Sequence, residues 1–305
     1  MPLTGVLVPL VTPFDADGAV ALGALESLAH RVLDDGATGL VALGTTAEPA
    51  SLSATERQAV LDVVARVAGE RGAALLVGAG TPEELEALRG RPEVTAALTL
   101  VPPFVRPGEE GAVAYLAAVA RRSAVPLVVY HVPARTGQAL GGAALRRIAR
   151  LDGVVGMKLS TAADTAAVDL LGDRPAGFNV LAGDDAVLTP MLALGASGGV
   201  LASAHVATPS FARLVDAWTT PGTSAAAGRR DLGARLARLS SACFAEPNPT
   251  VVKGVLYAQG RIPTPHVRLP LLPAGSASVD AALGALDAVS RLDAADVLAP
   301  VRAQA

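Results

Sequence analysis

Short runs of β-branched and aliphatic residues alternate along the chain with longer segments of helical periodicity. The apolar runs predict strands over 6–11, 39–43, 74–78, 97–101, 127–130, 154–158, 179–182 and 198–201. They read as nearly continuous apolar segments rather than alternating ones, the pattern of parallel strands buried on both faces. Helical stretches near 22–35, 55–69, 82–90, 108–122, 141–150, 162–171, 186–194 and 208–218 separate them. Ser53 with Glu56 spells a capping box, and Thr81-Pro82 an N-cap followed by proline at the first helical position. Eight strand–helix units in about 220 residues predict an α/β protein of the (β/α)8 TIM-barrel class. A doubly wound sheet would usually need fewer units and an early glycine-rich phosphate loop, which the sequence lacks. Beyond a Gly/Ser/Thr-rich joint at 219–224 the pattern is helical over roughly 225–243, 249–259 and 277–290, before a short tail. The expected organisation is a catalytic barrel over 1–220 and a C-terminal helical extension over 221–305 packed on it.

Composition sharpens this picture. The chain is 51% hydrophobic but only 3% aromatic, so Ala, Val and Leu must build the core. Of its 25 basic residues, only Lys158 and Lys253 are lysines. A Lys or Tyr in such a background therefore carries more information than usual. A net charge of −3 with no basic block argues against nucleic acid or anionic membrane as the main partner. One cysteine, Cys243, excludes an intrachain disulfide and suits a reducing compartment. The first residues lack the charged n-region of a signal peptide. The apolar runs are far shorter than the roughly 20 residues of a membrane helix. A cytoplasmic location is the expectation. His30, His131, His205 and His266 are isolated from one another, so no metal site is expected.

Chemistry in such a barrel belongs at the carboxyl ends of the strands. Strand two ends in Gly44-Thr45-Thr46-Ala47-Glu48, whose hydroxyls and turn amides could converge on a carboxylate. The same segment could equally be a capping loop. Strand five ends in Tyr130-His131-Val132-Pro133-Ala134-Arg135-Thr136-Gly137. It carries a phenol at the strand tip and, on the following turn, an arginine suited to bidentate carboxylate binding. His131 points to the other side of the strand and reads as a packed residue. Strand six ends in Lys158, and arginine cannot replace a lysine nucleophile because its guanidinium stays protonated. An amine held out of water is favoured in its neutral form and can attack a ketone to form a Schiff base. Tyr130 is placed to move protons in that chemistry. Lys253, early in a helix, reads as an anchor between extension and barrel. Asp184-Asp185 could in principle bind a cation, but a cap for the helix beginning at Ala186 is the simpler reading.

Taken together, Gly44-Thr45-Thr46-Ala47-Glu48, the 130–137 run, Gly156-Met157-Lys158 and Leu181-Ala182-Gly183-Asp184-Asp185 resemble the dihydrodipicolinate synthase / N-acetylneuraminate lyase superfamily. Glu246-Pro247-Asn248-Pro249 and Arg268-Leu269-Pro270-Leu271 resemble its synthase branch. The resemblance implies a pyruvate-dependent class I aldolase or lyase, usually a homotetramer built as a dimer of dimers. It implies Lys158 as the Schiff-base residue, Tyr130 as proton shuttle, and Thr45 as proton relay. It also implies Thr45 and Thr46 on the pyruvate carboxylate, Arg135 on the second substrate, and backbone of Gly183 and Val200 lining the site. No cofactor is implied beyond the covalent imine with pyruvate. Two departures stand out. Phe104 occupies the place of a tyrosine that normally completes the relay across the dimer, and His131 replaces an asparagine. The implied reaction joins pyruvate to an aldehyde, foremost aspartate semialdehyde. The alternatives are a retro-aldol lyase of 2-keto-3-deoxy sugar acids or N-acetylneuraminate, and a weakened barrel that only binds a keto acid.

Overall fold

The computed structural model describes residues 3–220 and 226–293. Eight parallel strands close into a barrel: β1 Gly5–Pro9, β2 Gly39–Ala42, β3 Ala74–Gly78, β4 Ala96–Leu100, β5 Leu127–His131, β6 Val154–Leu159, β7 Asn179–Ala182 and β8 Gly198–Val200. The helices of the barrel are α1 Leu22–Asp34, α2 Ala54–Arg71, α3 Pro82–Glu86, α4 Gly108–Arg122, α5 Pro133–Thr136, α6 Gly142–Ala149, α7 Thr165–Gly172, α8 Leu188–Ala193 and α9 Ala204–Thr219. Three more follow: α10 Ala226–Cys243, α11 Thr250–Ala258 and α12 Ser276–Asp293. The expected (β/α)8 barrel is the observed fold. Each strand lies within two residues of the bounds its apolar run predicts. The joint read at 219–224 falls mostly outside the described residues, as does the tail beyond 293.

Both predicted caps form. Ser53 Oγ accepts from the Glu56 amide while the Glu56 carboxylate accepts from the Ser53 amide, and Thr81 and Glu84 repeat the arrangement. The helix expected from 208 starts four residues earlier, at Ala204, and breaks its helical dihedrals at Ala207. Pro209 suits a helix start, so the sequence pattern pointed to the residue just ahead of it. The preceding turn forms because Ala204, His205 and Val206 are buried.

Two apolar layers hold the barrel. Alternate residues turn inward, where Leu7, Val41, Leu76, Leu98, Val128, Leu181 and Val200 fill its interior. Their neighbours turn outward into a larger layer with the helices, and His131 lies on that side. Burial pulls its imidazole down to about 4. His205, on α9, is also buried, which pulls it down to about 4. Its Nε2 accepts from the Val11 amide at 3.2 Å, so its proton sits on Nδ1, 2.8 Å from the Ala202 carbonyl. Both rings are packed and neutral, as expected for His131.

The additional helices pack on α8 and α9. They are joined to the barrel by a buried ion pair: Lys253 Nζ lies 2.5 Å from Glu48 Oε1 and donates to the His266 carbonyl at 2.8 Å. The other carboxylate oxygen, Glu48 Oε2, accepts from the Arg268 amide at 2.9 Å. Burial pulls the Lys253 amine down to about 8, against the opposing charge of Glu48, so the amine stays largely protonated at neutral pH. The anchoring role expected of Lys253 is what its contacts provide.

Removing one member of such a pair strands a buried charge, at a cost of about 3–5 kcal/mol. Lys253→Met is expected to lower unfolding free energy in urea by that amount. Lys253→Met combined with Glu48→Gln is expected to recover a clear part of the loss. A single substitution costing under about 1 kcal/mol would contradict the clamp. A second expectation concerns acid. An unfolded histidine near its ordinary value of 6.5 binds a proton that His131 and His205 refuse in the folded chain. Stability is therefore full above pH 6.5 and falls towards pH 5, by about 2 kcal/mol per histidine. Asp185, whose carboxyl burial raises to about 6, opposes this below pH 6. His131→Leu is expected to flatten the acid limb of a urea-midpoint titration, and an unchanged limb would exclude His131 as a source.

Candidate active site

The register of β5 and β6 brings the two rare side chains together. Tyr130 pairs with Lys158 across the ladder, and both side chains turn into the barrel. Lys158 Nζ lies 4.1 Å from the centre of the Tyr130 ring. Both residues are only 6% exposed, so the amine and the phenol meet in a nearly dry setting at the strand ends. Burial works to raise the phenol, but the Lys158 charge, the Ser160 hydroxyl, the Arg135 charge and the Thr45 hydroxyl together outweigh it. The phenol accordingly sits below its ordinary value.

Thr45 and Thr46 stand on a single helical turn, Thr45–Ala47, directly after β2. Within that turn the Ala47 and Glu48 amides bond the Gly44 and Thr45 carbonyls. The turn offers no such acceptor to the first amides, as at any helical start. Leu43 and Glu48 bracket it at φ values of 54° and 55°. These are left-handed conformations that side-chain-bearing residues rarely adopt. The turn also leans directly on β3, where a Cβ at Gly78 would meet the Leu43 carbonyl at 2.2 Å. Thr45 faces a cavity of about 440 Å³ that also reaches Tyr130 and runs outward past Arg57 and Glu84, which pair at 3.6 Å. Thr46 is buried, and its Oγ1 accepts from Asn248 Nδ2 at 3.0 Å.

Gly183 follows β7 and lies directly against the lysine. A Cβ there would come 2.7 Å from Lys158 Cε and Cγ and 2.4 Å from Ser160 Oγ, so only glycine fits. Val200 ends β8, fully buried in the barrel interior with Tyr130 and Leu181. Arg135 is exposed on the α5 turn, near enough to Tyr130 for its charge to act on the phenol. Phe104 does not join this group. It is 89% exposed on the loop between β4 and α4, at a φ of 66°, and its amide donates to the Thr136 carbonyl at 3.3 Å.

One sequence reading needs correcting. Asp184 does cap the turn from Asp185, accepting from the Ala186 amide at 3.1 Å. Asp185 does not. It is buried and accepts from the Ser203 amide at 2.6 Å, tying the loop after β7 to that after β8. An Asp-Asp pair ahead of a helix looks alike at both positions, and only the fold shows which carboxylate turns inward. Ser160 was passed over altogether. The signal was present, since it lies two residues beyond Lys158 and so on the same side of the strand line. Among the described residues no group of three or more His, Cys, Asp or Glu side chains is placed to hold a metal ion. No described helix is long and apolar enough to cross a membrane.

Comparison with known proteins agrees with this geometry. The model of the dihydrodipicolinate synthetase family matches residues 2–287. A 4-hydroxy-tetrahydrodipicolinate synthase of Neisseria meningitidis serogroup C is 35% identical over 290 residues, covering 93% of this chain and 98% of that protein. Another enzyme of that name, from Synechococcus, is 35% identical over 294 residues, covering 94% and 96%. Among solved structures, dihydrodipicolinate synthase from Thermotoga maritima superposes with a TM-score of 0.88 at 26% identity, covering 95% of this chain and 99% of that one. The Acinetobacter baumannii enzyme, solved with pyruvate, gives 0.87 at 29% identity, covering 94% and 99%. Sequence and fold converge along nearly the whole length, and the chain belongs to the dihydrodipicolinate synthetase family.

Proposed function

We propose that the chain is a lyase that joins pyruvate to aspartate semialdehyde, giving 4-hydroxy-tetrahydrodipicolinate. The observation that carries this reading is the buried pairing of Lys158 with Tyr130 across β5 and β6, with Nζ 4.1 Å from the ring centre. In this reading the Lys158 amine attacks the pyruvate ketone carbon. The carbinolamine loses water to give a protonated imine, which accepts the electrons of the breaking C–H bond at the methyl carbon. The resulting enamine attacks the aldehyde, and the amine of aspartate semialdehyde then adds to the imine carbon and expels the Lys158 nitrogen, which closes the ring and frees the enzyme. Tyr130 carries protons in both halves and Thr45 passes them on, a role supported by the contribution of the Thr45 hydroxyl to lowering the phenol. Thr45 and Thr46 with their turn amides hold the pyruvate carboxylate, flanked by backbone of Gly183 and Val200. Arg135, exposed beside the phenol, receives the carboxylate of the aldehyde.

The covalent imine supplies the electron sink, so the reaction as proposed uses no further cofactor. We further propose the division into a barrel over 1–220 and an extension over 221–305, a homotetrameric assembly of two dimers with the Phe104 position at the subunit contact, and a cytoplasmic location. Run backwards, the same imine cleaves 2-keto-3-deoxy sugar acids. The choice of condensation is supported by the synthase names of the 35% identical relatives and by Arg135 on its turn.

Incubation with pyruvate and borohydride is expected to add one reduced pyruvyl group, mapped by mass to the peptide containing Lys158. Lys158→Arg is expected to abolish it, and an adduct elsewhere would sink the reading. Tyr130→Phe is expected to keep binding pyruvate but lose about 10²–10⁴-fold in turnover of aspartate semialdehyde, the range of one general acid–base group. A loss under tenfold would remove Tyr130 from the proton steps.

A further inference from the structure

The Glu246-Pro247-Asn248-Pro249 run has so far no part in the chemistry. It lies in the loop between α10 and α11 and is fixed on both sides of Asn248. Glu246 Oε1 accepts from the Gly275 amide at 3.0 Å, just ahead of α12. The Pro247 and Pro249 carbonyls accept from the Thr250 and Lys253 amides at 3.0 and 2.9 Å. From this fixed loop the Asn248 side chain reaches the turn after β2, where its Nδ2 donates to Thr46 Oγ1 at 3.0 Å. The Thr12 hydroxyl donates to the Ala47 carbonyl at 2.8 Å, and Lys253 takes Glu48. Three successive residues of the turn are therefore gripped from outside, and Asn248 alone takes hold of a hydroxyl.

The direction of that bond decides what Thr46 can do. An amide nitrogen only donates, whereas a hydroxyl has one proton and two lone pairs. Asn248 therefore occupies a lone pair of Thr46 Oγ1 and leaves the proton unspent. Thr46 is only 4% exposed, yet among the described residues no acceptor takes that proton. The first amides of the same turn lack intrahelical acceptors too. A buried donor without an acceptor is costly, and an arriving carboxylate oxygen relieves that cost. Asn248 Oδ1 is buried and has no partner. The bond to Thr46 is thus the one hydrogen bond of the Asn248 amide group among the described residues, and a substitution that removes it removes no other.

We propose that Asn248 is a positioning residue for Thr46, holding its hydroxyl as a donor towards the pyruvate carboxylate. The role rests on the reading above that Thr46 binds this carboxylate. Without the amide, the hydroxyl turns freely about its Cβ–Oγ bond and must be ordered when pyruvate binds. With an aspartate at position 248, the side chain would accept the Thr46 proton and set a second negative charge beside that of pyruvate.

The test is the pyruvate dependence of the borohydride-trapped adduct on Lys158. It is measured for the parent, Asn248→Ala, Asn248→Asp, Thr46→Val, and Thr46→Val combined with Asn248→Ala. Asn248→Ala is expected to raise half-saturating pyruvate roughly 3–10-fold, the range of one neutral hydrogen bond, with little change in the rate at saturation. Asn248→Asp, of nearly the same size, is expected to raise it roughly 10–100-fold, the range of a hydrogen bond to a charged group. Beside Thr46→Val, Asn248→Ala is expected to add nothing, because the bond it removes is already gone. A merely structural loop would instead give additive losses. Parent-like half-saturation in Asn248→Ala and Asn248→Asp overturns the proposal, and so does an Asn248→Ala loss that persists in full beside Thr46→Val. Thr46→Val with the parent's pyruvate dependence would take Thr46 off the carboxylate, and Asn248 with it. No adduct on the parent's Lys158 would remove the imine reading itself, so the failures are told apart.

Discussion

The structure turns on one buried ion pair. Glu48 ends the turn that carries Thr45 and Thr46, and Lys253 belongs to α11, more than two hundred positions further along the chain. Their contact at 2.5 Å closes the chain's C-terminal helices onto the catalytic end of the barrel. Two cations lie over the ring of Phe14, with Lys253 Nζ 4.2 Å and the Arg268 guanidinium 4.5 Å from its centre. Arg268 in turn forks onto Glu56 and holds that carboxyl down near 2, chiefly by hydrogen bonding. Charge, ring and carboxylates form one continuous brace beneath the β2 turn. A turn bounded by two left-handed residues has no intrinsic preference for its shape. The brace supplies that preference from outside, and Asn248 adds a direct hold on Thr46.

The opposite wall of the site is held differently. Tyr130, Lys158, Ser160 and Gly183 owe their placement to strand alternation and ladder register, which a barrel fixes globally. A one-residue slip of β6 would turn Lys158 outward into the helical layer. The apolar neighbours Met157 and Leu159, both fully buried outside the barrel, make such a slip costly because it would place the lysine among them. The site therefore combines a rigid wall set by hydrogen-bonded strands with a turn set by charge. Its polar groups come from β2, β5, β6 and the loop after β7, none of them adjacent in sequence across the two walls.

How much of this was legible in the sequence follows from the range of the interactions. Strands and caps depend on neighbours within a few residues, so the apolar runs and the Ser53 and Thr81 caps could be read directly. Lys158 and Tyr130 were legible because a chain so poor in lysine and aromatics marks them. The pairing of Glu48 with Lys253 was only half legible. Lys253 read as an anchor, but its partner lay in a motif whose hydroxyls drew attention away from the carboxylate. Asp185 was misread because inward and outward acidic residues look the same in one dimension. Ser160 was missed because a serine is common and only its two-residue spacing from Lys158 distinguishes it.

Phe104 shows the same logic from the other side. Its ring projects into solvent at 89% exposure, and its backbone, like that of Arg106, adopts a left-handed conformation. A side chain held outward in a disfavoured conformation is set by its loop, which is pinned to the α5 turn through the Phe104 amide and Thr136 carbonyl. That turn also carries Arg135. One backbone hydrogen bond thus ties the loop that carries the exposed ring to the turn that carries the arginine. The charge of Lys158 and the hydroxyls of Ser160 and Thr45 act together to lower the Tyr130 phenol against its burial. Within the protomer Phe104 lies on the rim, apart from the buried pair of Tyr130 and Lys158 in the barrel interior.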